Sequence, residues 1–200
     1  MSVTSVYPQL EQLLPRISKP IQYVGGELGA VVKDWDAATV RWALMYPDAY
    51  EVGLPNQGVQ ILYEVLNEQP DVLAERTYAV WPDLEKLMRE HGVPQFTVDS
   101  HRPVGAFDLL GVSFSTELGY TNLLTALDLA RIPLTAAERD ERHQRLLRVR
   151  PGVEVHRRAL VHPERHVRPV RHDPLDPPVR QVVHVVEARH VDALRAGQPQ

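Results

Sequence analysis

The stretch Val40–Asn67, VRWALMYPDAYEVGLPNQGVQILYEVLN, decides how this chain is read. Val40, Trp42, Ala43, Leu44 and Met45 form an apolar run that ends at Pro47. It is too short for an independent helix and reads as a buried strand. Asp48, Gly53, Pro55, Asn56 and Gly58 then supply turn chemistry. Val59, Leu62, Tyr63, Val65 and Leu66 recur at helical spacing, so an amphipathic helix over about 58–67 follows. In open parallel α/β sheets ligands gather beyond the carboxyl ends of the strands, which makes Pro47–Gly58 the first place to look for a site.

Downstream, the same alternation continues. Glu75–Val80 reads as a weak second strand, and Trp81-Pro82-Asp83 opens a helix that Gly92 closes. Pro94–Val98 is expected as a short third strand and Phe107–Phe114 as a convincing fourth. Ser115 or Thr116 is placed to cap a helix whose core face is Leu118, Leu123, Leu124, Leu127 and Ala130. Upstream, Leu10, Leu13, Leu14 and Ile17 suggest a short helix broken at Pro15, and Tyr23–Leu28 a hairpin turning on Gly25-Gly26. Strands alternating with helices over short loops argue an α/β fold, a Rossmann-like parallel sheet with flanking helices. The expected organisation is an N-terminal helix-and-hairpin extension over 1–39, a partial Rossmann-like domain over 40–140, and a tail over 141–200.

The tail differs in kind. Residues 1–140 carry a charge balance of −9 and residues 141–200 one of +5, inside a net charge of −4. No aromatic residue follows Tyr120, no Ser or Thr follows Thr135, and seven of the nine His fall after Glu141. A segment rich in Arg and Pro without aromatics has little apolar surface to offset chain entropy. It reads as a disordered basic tail, or as translation out of frame from a GC-rich gene. A metal- or nucleic-acid-binding arm is the weakest of three readings. His162 and His166 are separated by Pro163, no H-E-x-x-H pattern occurs, and no aromatics interleave the basic residues.

Absences limit the chemistry. The chain has no cysteine, which excludes a disulfide framework, a thiolate nucleophile and a cysteine-ligated iron–sulfur cluster within it. The N-terminus lacks the pattern of a secretory signal and no apolar run approaches a membrane span, so a cytoplasmic address without membrane or nucleic-acid partners is expected.

Two loops carry the candidate binding residues. In the first, Tyr50 and Glu51 project into a crevice, and Gly53 and Gly58 allow close backbone approach. It is neither G-x-G-x-x-G nor a phosphate-binding P-loop. In the second, Ser113, Ser115 and Thr116 follow a strand, superficially like a G-x-S-x-G elbow but with Ser115 at the fifth position. The only His downstream of it lie in the tail, so a hydrolase is disfavoured. His91 is read as helix-end chemistry and His101 as a single loop histidine. No catalytic residue and no metal ligand is assigned.

The stretches LLPRISKPIQYVGGELGAVVKDWD, the segment from Val40 to Pro94 and FDLLGVSFSTELGYTNLLTALDLARIPLTAAERDE together resemble the N-terminal region of a radical SAM subfamily. Those proteins carry a cobalamin-binding-like domain ahead of the radical SAM barrel. The resemblance runs from about Leu13 to Glu141, with Tyr46–Gly58 and Gly111–Tyr120 matching its two strand-to-helix loops. It implies a Rossmann-like domain that serves a separate barrel holding a [4Fe–4S] cluster through three cysteines and using S-adenosylmethionine. It also raises cobalamin as a ligand. The D-x-H-x-x-G signature of base-on cobalamin binding is missing, so a corrinoid would bind base-off. The chain is therefore read as an N-terminal fragment without independent catalysis. A stand-alone α/β small-ligand module and a protein-interaction domain are the alternatives.

Overall fold

The computed structural model describes residues 3–114, 117–138 and 182–184. In chain order these form α1 (Tyr7–Glu11), β1 (Val40–Ala49), α2 (Tyr50–Gly53), α3 (Gln57–Glu68), β2 (Val72–Ala79), α4 (Pro82–His91), β3 (Leu109–Phe114), α5 (Gly119–Leu129) and β4 (Val182–His184). The strand order is β2-β1-β3-β4. β1 runs parallel to both neighbours, with Val40 opposite Val72 and Trp42 opposite Leu109, and β4 pairs antiparallel with β3. This is the open α/β sheet with flanking helices that the alternation predicts. The other expectations for residues 141–200 lie outside the described residues.

Period-two alternation along β1 sorts the core into two layers. Ala43 and Met45 face one side with Leu73, Leu110 and Val112, covered by Ala126 and Leu127 of α5 and by Ala130 just after it. Leu44 and Tyr46 face the other side with Ala74 and Tyr78, covered by Val59 and Tyr63 of α3. A third cluster packs Leu10, Leu13 and Leu14 of the N-terminal segment against Leu84, Leu87 and Met88 of α4. Each fully buried Leu or Met there contributes about 1.5–3 kcal/mol.

The local signals of α4 hold. Pro82 stands at its first turn, Asp83 and Glu85 sit at the positive end of its dipole, and Gly92 closes it with φ 69°. α3 is capped by Asn56, whose side chain accepts from the Val59 amide at 3.1 Å.

Four local expectations need correction. No hairpin forms at Tyr23–Leu28: Pro20–Tyr23 is a 3-10 turn in which Gln22 and Tyr23 are both buried, a pattern that strand alternation does not allow. Pro94–Val98 is not a sheet strand, and its one bridge pairs Phe96 with Pro103 as the segment folds back on itself. Leu118, not Ser115 or Thr116, occupies the position before α5, and it makes no side-chain cap. The buried residues of that helix are Gly119, Ala126, Leu127 and Leu129, with Leu123 packed at their margin and Ala130 buried just past its end. Leu118 lies ahead of the helical register and Leu124 is rotated away from the buried face, so both are exposed.

Candidate functional site

The helices after β1 and β3 leave on opposite faces of the sheet, α3 over Leu44 and Tyr46 and α5 over Ala43 and Met45. Adjacent parallel strands whose connections diverge in this way open a crevice at their carboxyl ends. The two loops named from the sequence follow these strand ends, so the candidate crevice has the residues after Tyr46 as its first lip and those from residue 117 onward as its second. Its first lip is tightly tied: the Ala49 amide donates to the Asp48 carboxylate at 2.7 Å, the Leu54 amide to the Tyr50 carbonyl at 2.8 Å, and Gln60 Nε2 to the Leu54 carbonyl at 2.6 Å.

The two lips meet at Pro47. Asn122 Nδ2 donates to the Pro47 carbonyl at 3.0 Å. A Cβ on Gly119 would lie 2.9 Å from Pro47 Cγ and 3.2 Å from Phe114, so only glycine permits this approach. The Phe114 and Tyr120 rings pack beside it with centroids 4.7 Å apart. Pro47, Gly119 and Asn122 fall within the two loops named from the sequence but are not among the candidate binding residues. Their signal is the contact itself, which pairs residues about seventy-five positions apart.

The sequence-derived residues divide between the two sides of β1. Tyr50 is half-buried, with its ring edge-on to Tyr78 at 5.5 Å. Burial, followed by the charge of Glu27, pushes its hydroxyl up to about 12, so it is a neutral donor near neutral pH. Glu51 pairs with Lys19 at 2.5 Å, and that hydrogen bond is the main cause holding its carboxyl below the usual range. Lys19 also lies over the Trp81 ring at 4.6 Å. A Cβ on Gly53 would stand 2.4 Å from the Tyr78 ring, so this glycine has a packing reason to be one. These three lie on the β2 side of β1. Gly58 is the second residue of α3, and Ser113 is buried near the end of β3 on the other side of β1. Ser115 and Thr116 lie outside the described residues.

A cluster that sequence reasoning missed lines the outer edge of β2. Glu75, Arg76 and Thr77 are all buried there beneath the segment 95–102. Arg76 Nη2 donates to the Asp99 carboxylate at 2.7 Å, and the Arg76 amide donates to its other oxygen at 2.6 Å. The guanidinium also lies 4.3 Å from the Tyr63 ring centroid and 3.6 Å from Glu27. Glu75 accepts from Thr97 at 2.6 Å, from Ser100 at 2.6 and 2.7 Å and from Arg102 at 3.3 Å. Every one of these partners belongs to the fold. The cluster clamps a loop over a strand edge whose backbone would otherwise be open to pairing.

The histidines are similarly engaged. His91 Nε2 lies 3.1 Å from Arg16 Nη1. His101 is buried with φ 57°, and its Nε2–H donates to the Tyr23 carbonyl at 2.8 Å. Among the described residues no group of three His, Cys, Asp or Glu could hold a metal ion, and no helix is long and apolar enough to cross a membrane.

Residues 58–151 match the family model described as radical SAM proteins, N-terminal. This links the chain to the radical SAM proteins. The matched span contains most of α3 together with β2, α4, β3 and α5, and leaves β1 and most of the first lip outside it. No curated protein and no solved structure matches. The [4Fe–4S] cluster and S-adenosylmethionine that a radical SAM family implies belong to parent proteins. A chain without cysteine offers no thiolate to such a cluster.

Proposed function

We propose that this chain is the N-terminal region of a radical SAM protein, a B12-binding-type module that performs no radical chemistry of its own. The observation that carries the proposal is the family match over residues 58–151. The open parallel sheet with flanking helices is compatible with it, because α/β domains of this kind bind ligands beyond the carboxyl ends of their strands. In this reading the chain's partner is a radical SAM barrel. That barrel supplies the cluster and the S-adenosylmethionine, and no residue here is assigned to either.

A corrinoid is the ligand class proposed for the crevice. A base-on mode does not fit, since the first lip contains no histidine and His101 is buried between the Tyr7 and Phe96 rings with its Nε2–H already donated. In a base-off mode the ligand would rest on the backbone around Gly58 with Ser113, Ser115 and Thr116 donating hydrogen bonds, while Tyr50 and Gly53 stay packed on Tyr78. The positive end of α3 favours an anionic substituent there.

A second reading, a protein-contact module, draws on Leu118, Tyr120 and Leu124, which are 79%, 54% and 49% exposed beside the second lip. In the radical SAM reading this apolar surface would face the barrel.

Titrating cobalamin against the full chain and against a Gly58→Val, Ser113→Val variant tests the crevice. Saturable binding that weakens in the variant, with unchanged circular dichroism, is the expected result. Equal binding by both proteins, or none by either, would remove the corrinoid from the proposal.

A further inference from the structure

A cavity of about 10 Å3 lies beyond the carboxyl end of β2, lined by Gln22, Tyr23, Tyr50, Tyr78, Gln95 and Phe96 together with two valines. Three of its lining residues carry a buried polar atom without a hydrogen-bond partner: Gln22 Oε1, Tyr78 Oη and Gln95 Oε1. The three residues are 2%, 4% and 1% exposed. They come from the Pro20–Tyr23 turn, from β2 and from the segment that covers the β2 edge.

Two of the three are held in place. Gln95 Nε2 donates to the Tyr78 carbonyl at 2.8 Å and to Thr77 Oγ1 at 3.0 Å. A carbonyl only accepts, and Thr77 Oγ1 already gives its own proton to the Phe96 carbonyl at 2.7 Å. The Gln95 amide therefore cannot be turned over, and its Oε1 must look to the cavity for a donor. The Tyr78 ring is held against Gly53, where a Cβ would stand 2.4 Å from it, and against the edge of Tyr50. Its hydroxyl is fixed in place.

We infer that this cavity is a binding site for one water molecule, bridging Gln22 Oε1, Tyr78 Oη and Gln95 Oε1. The volume is about that of a single water position, and buried waters typically make about three hydrogen bonds. The donor count also matches: water gives one proton to each amide oxygen and accepts the proton of the tyrosine hydroxyl. The water joins the N-terminal extension to the sheet and to the covering segment, through three side chains that make no hydrogen bond to one another.

Two measurements test the site. In a crystal structure of the full chain, one density peak should lie within hydrogen-bond distance of all three atoms. Direct pairing among the side chains, or an empty cavity, would overturn the inference. In a double-mutant cycle of Gln22→Leu with Tyr78→Phe, the shared water predicts coupling between groups that share no hydrogen bond. The loss in folding constant for the double variant should be at least about two-fold smaller than the product of the single losses. Strict additivity would overturn the inference. If Gln22→Leu does not fold, Gln22→Met keeps the side-chain length and serves in the same cycle.

Discussion

Arg76 and Asp99 meet at 2.7 Å on the outer edge of the sheet, with 3% and 0% of their side chains exposed. Asp99 also accepts from the Tyr63 hydroxyl at 3.1 Å and from the Arg76 amide. Removing one partner of a buried pair strands the other charge out of water, at a cost of about 3–5 kcal/mol. Asp99→Ala should therefore destabilise the chain by that amount in urea unfolding. Asp99→Asn, which keeps a hydrogen-bond acceptor for Tyr63, should cost less.

Two buried groups give stability opposing dependences on pH. Burial is the largest cause raising the Glu75 carboxyl above 4.5, against hydrogen bonds from Ser100 and Thr97 that lower it. The folded chain thus keeps a proton that the unfolded chain releases, and this contribution to stability falls as pH rises above about 4.5. Burial likewise holds His101 below 6.5, so the unfolded chain takes up a proton first and stability falls as pH drops below that value. Urea unfolding at a series of pH values should show a steeper acid loss in Glu75→Gln. His101→Asn, whose side chain tolerates the positive φ, should show a flatter one.

Gly25 and Gly26 form a matched pair. Both have positive φ, 69° and 81°, but a Cβ on Gly25 would lie 2.3 Å from the Val98 carbonyl oxygen, while one on Gly26 would meet nothing within 4 Å. Gly26→Ala should cost about 1–2 kcal/mol, the strain of the left-handed conformation. Gly25→Ala should cost clearly more, because the obstructing atom is backbone. Equal thermal shifts for the two variants would show that the 22–28 segment is not held against Val98.

How much was legible in the sequence follows from the range of each signal. β1, α3, α4 and β3 announce themselves through neighbouring residues: an apolar run ending at Pro47, helical spacing from Val59 to Leu66, Pro82 at a first turn with Gly92 after His91, and the run Phe107–Phe114. β2 is weak as text because Glu75, Arg76 and Thr77 look like surface residues. They are buried only because Thr97, Asp99, Ser100 and Arg102 satisfy Glu75 and Arg76, and Gln95 and the Phe96 carbonyl satisfy Thr77, all about twenty positions on. The strand ends that frame the candidate crevice are legible, since they are local features. That Tyr50 turns toward Tyr78, and that Asn122 reaches Pro47, depends on which strands become neighbours, and no local pattern carries that.

The central claim, that this chain is the N-terminal region of a radical SAM protein, is tested most directly by sequencing its gene through and beyond codon 140. The account predicts a reading frame there that encodes a barrel with three clustered cysteines, joined to this segment in the same frame or in a shifted one. A downstream region that encodes no cysteine-bearing barrel in any frame would contradict it.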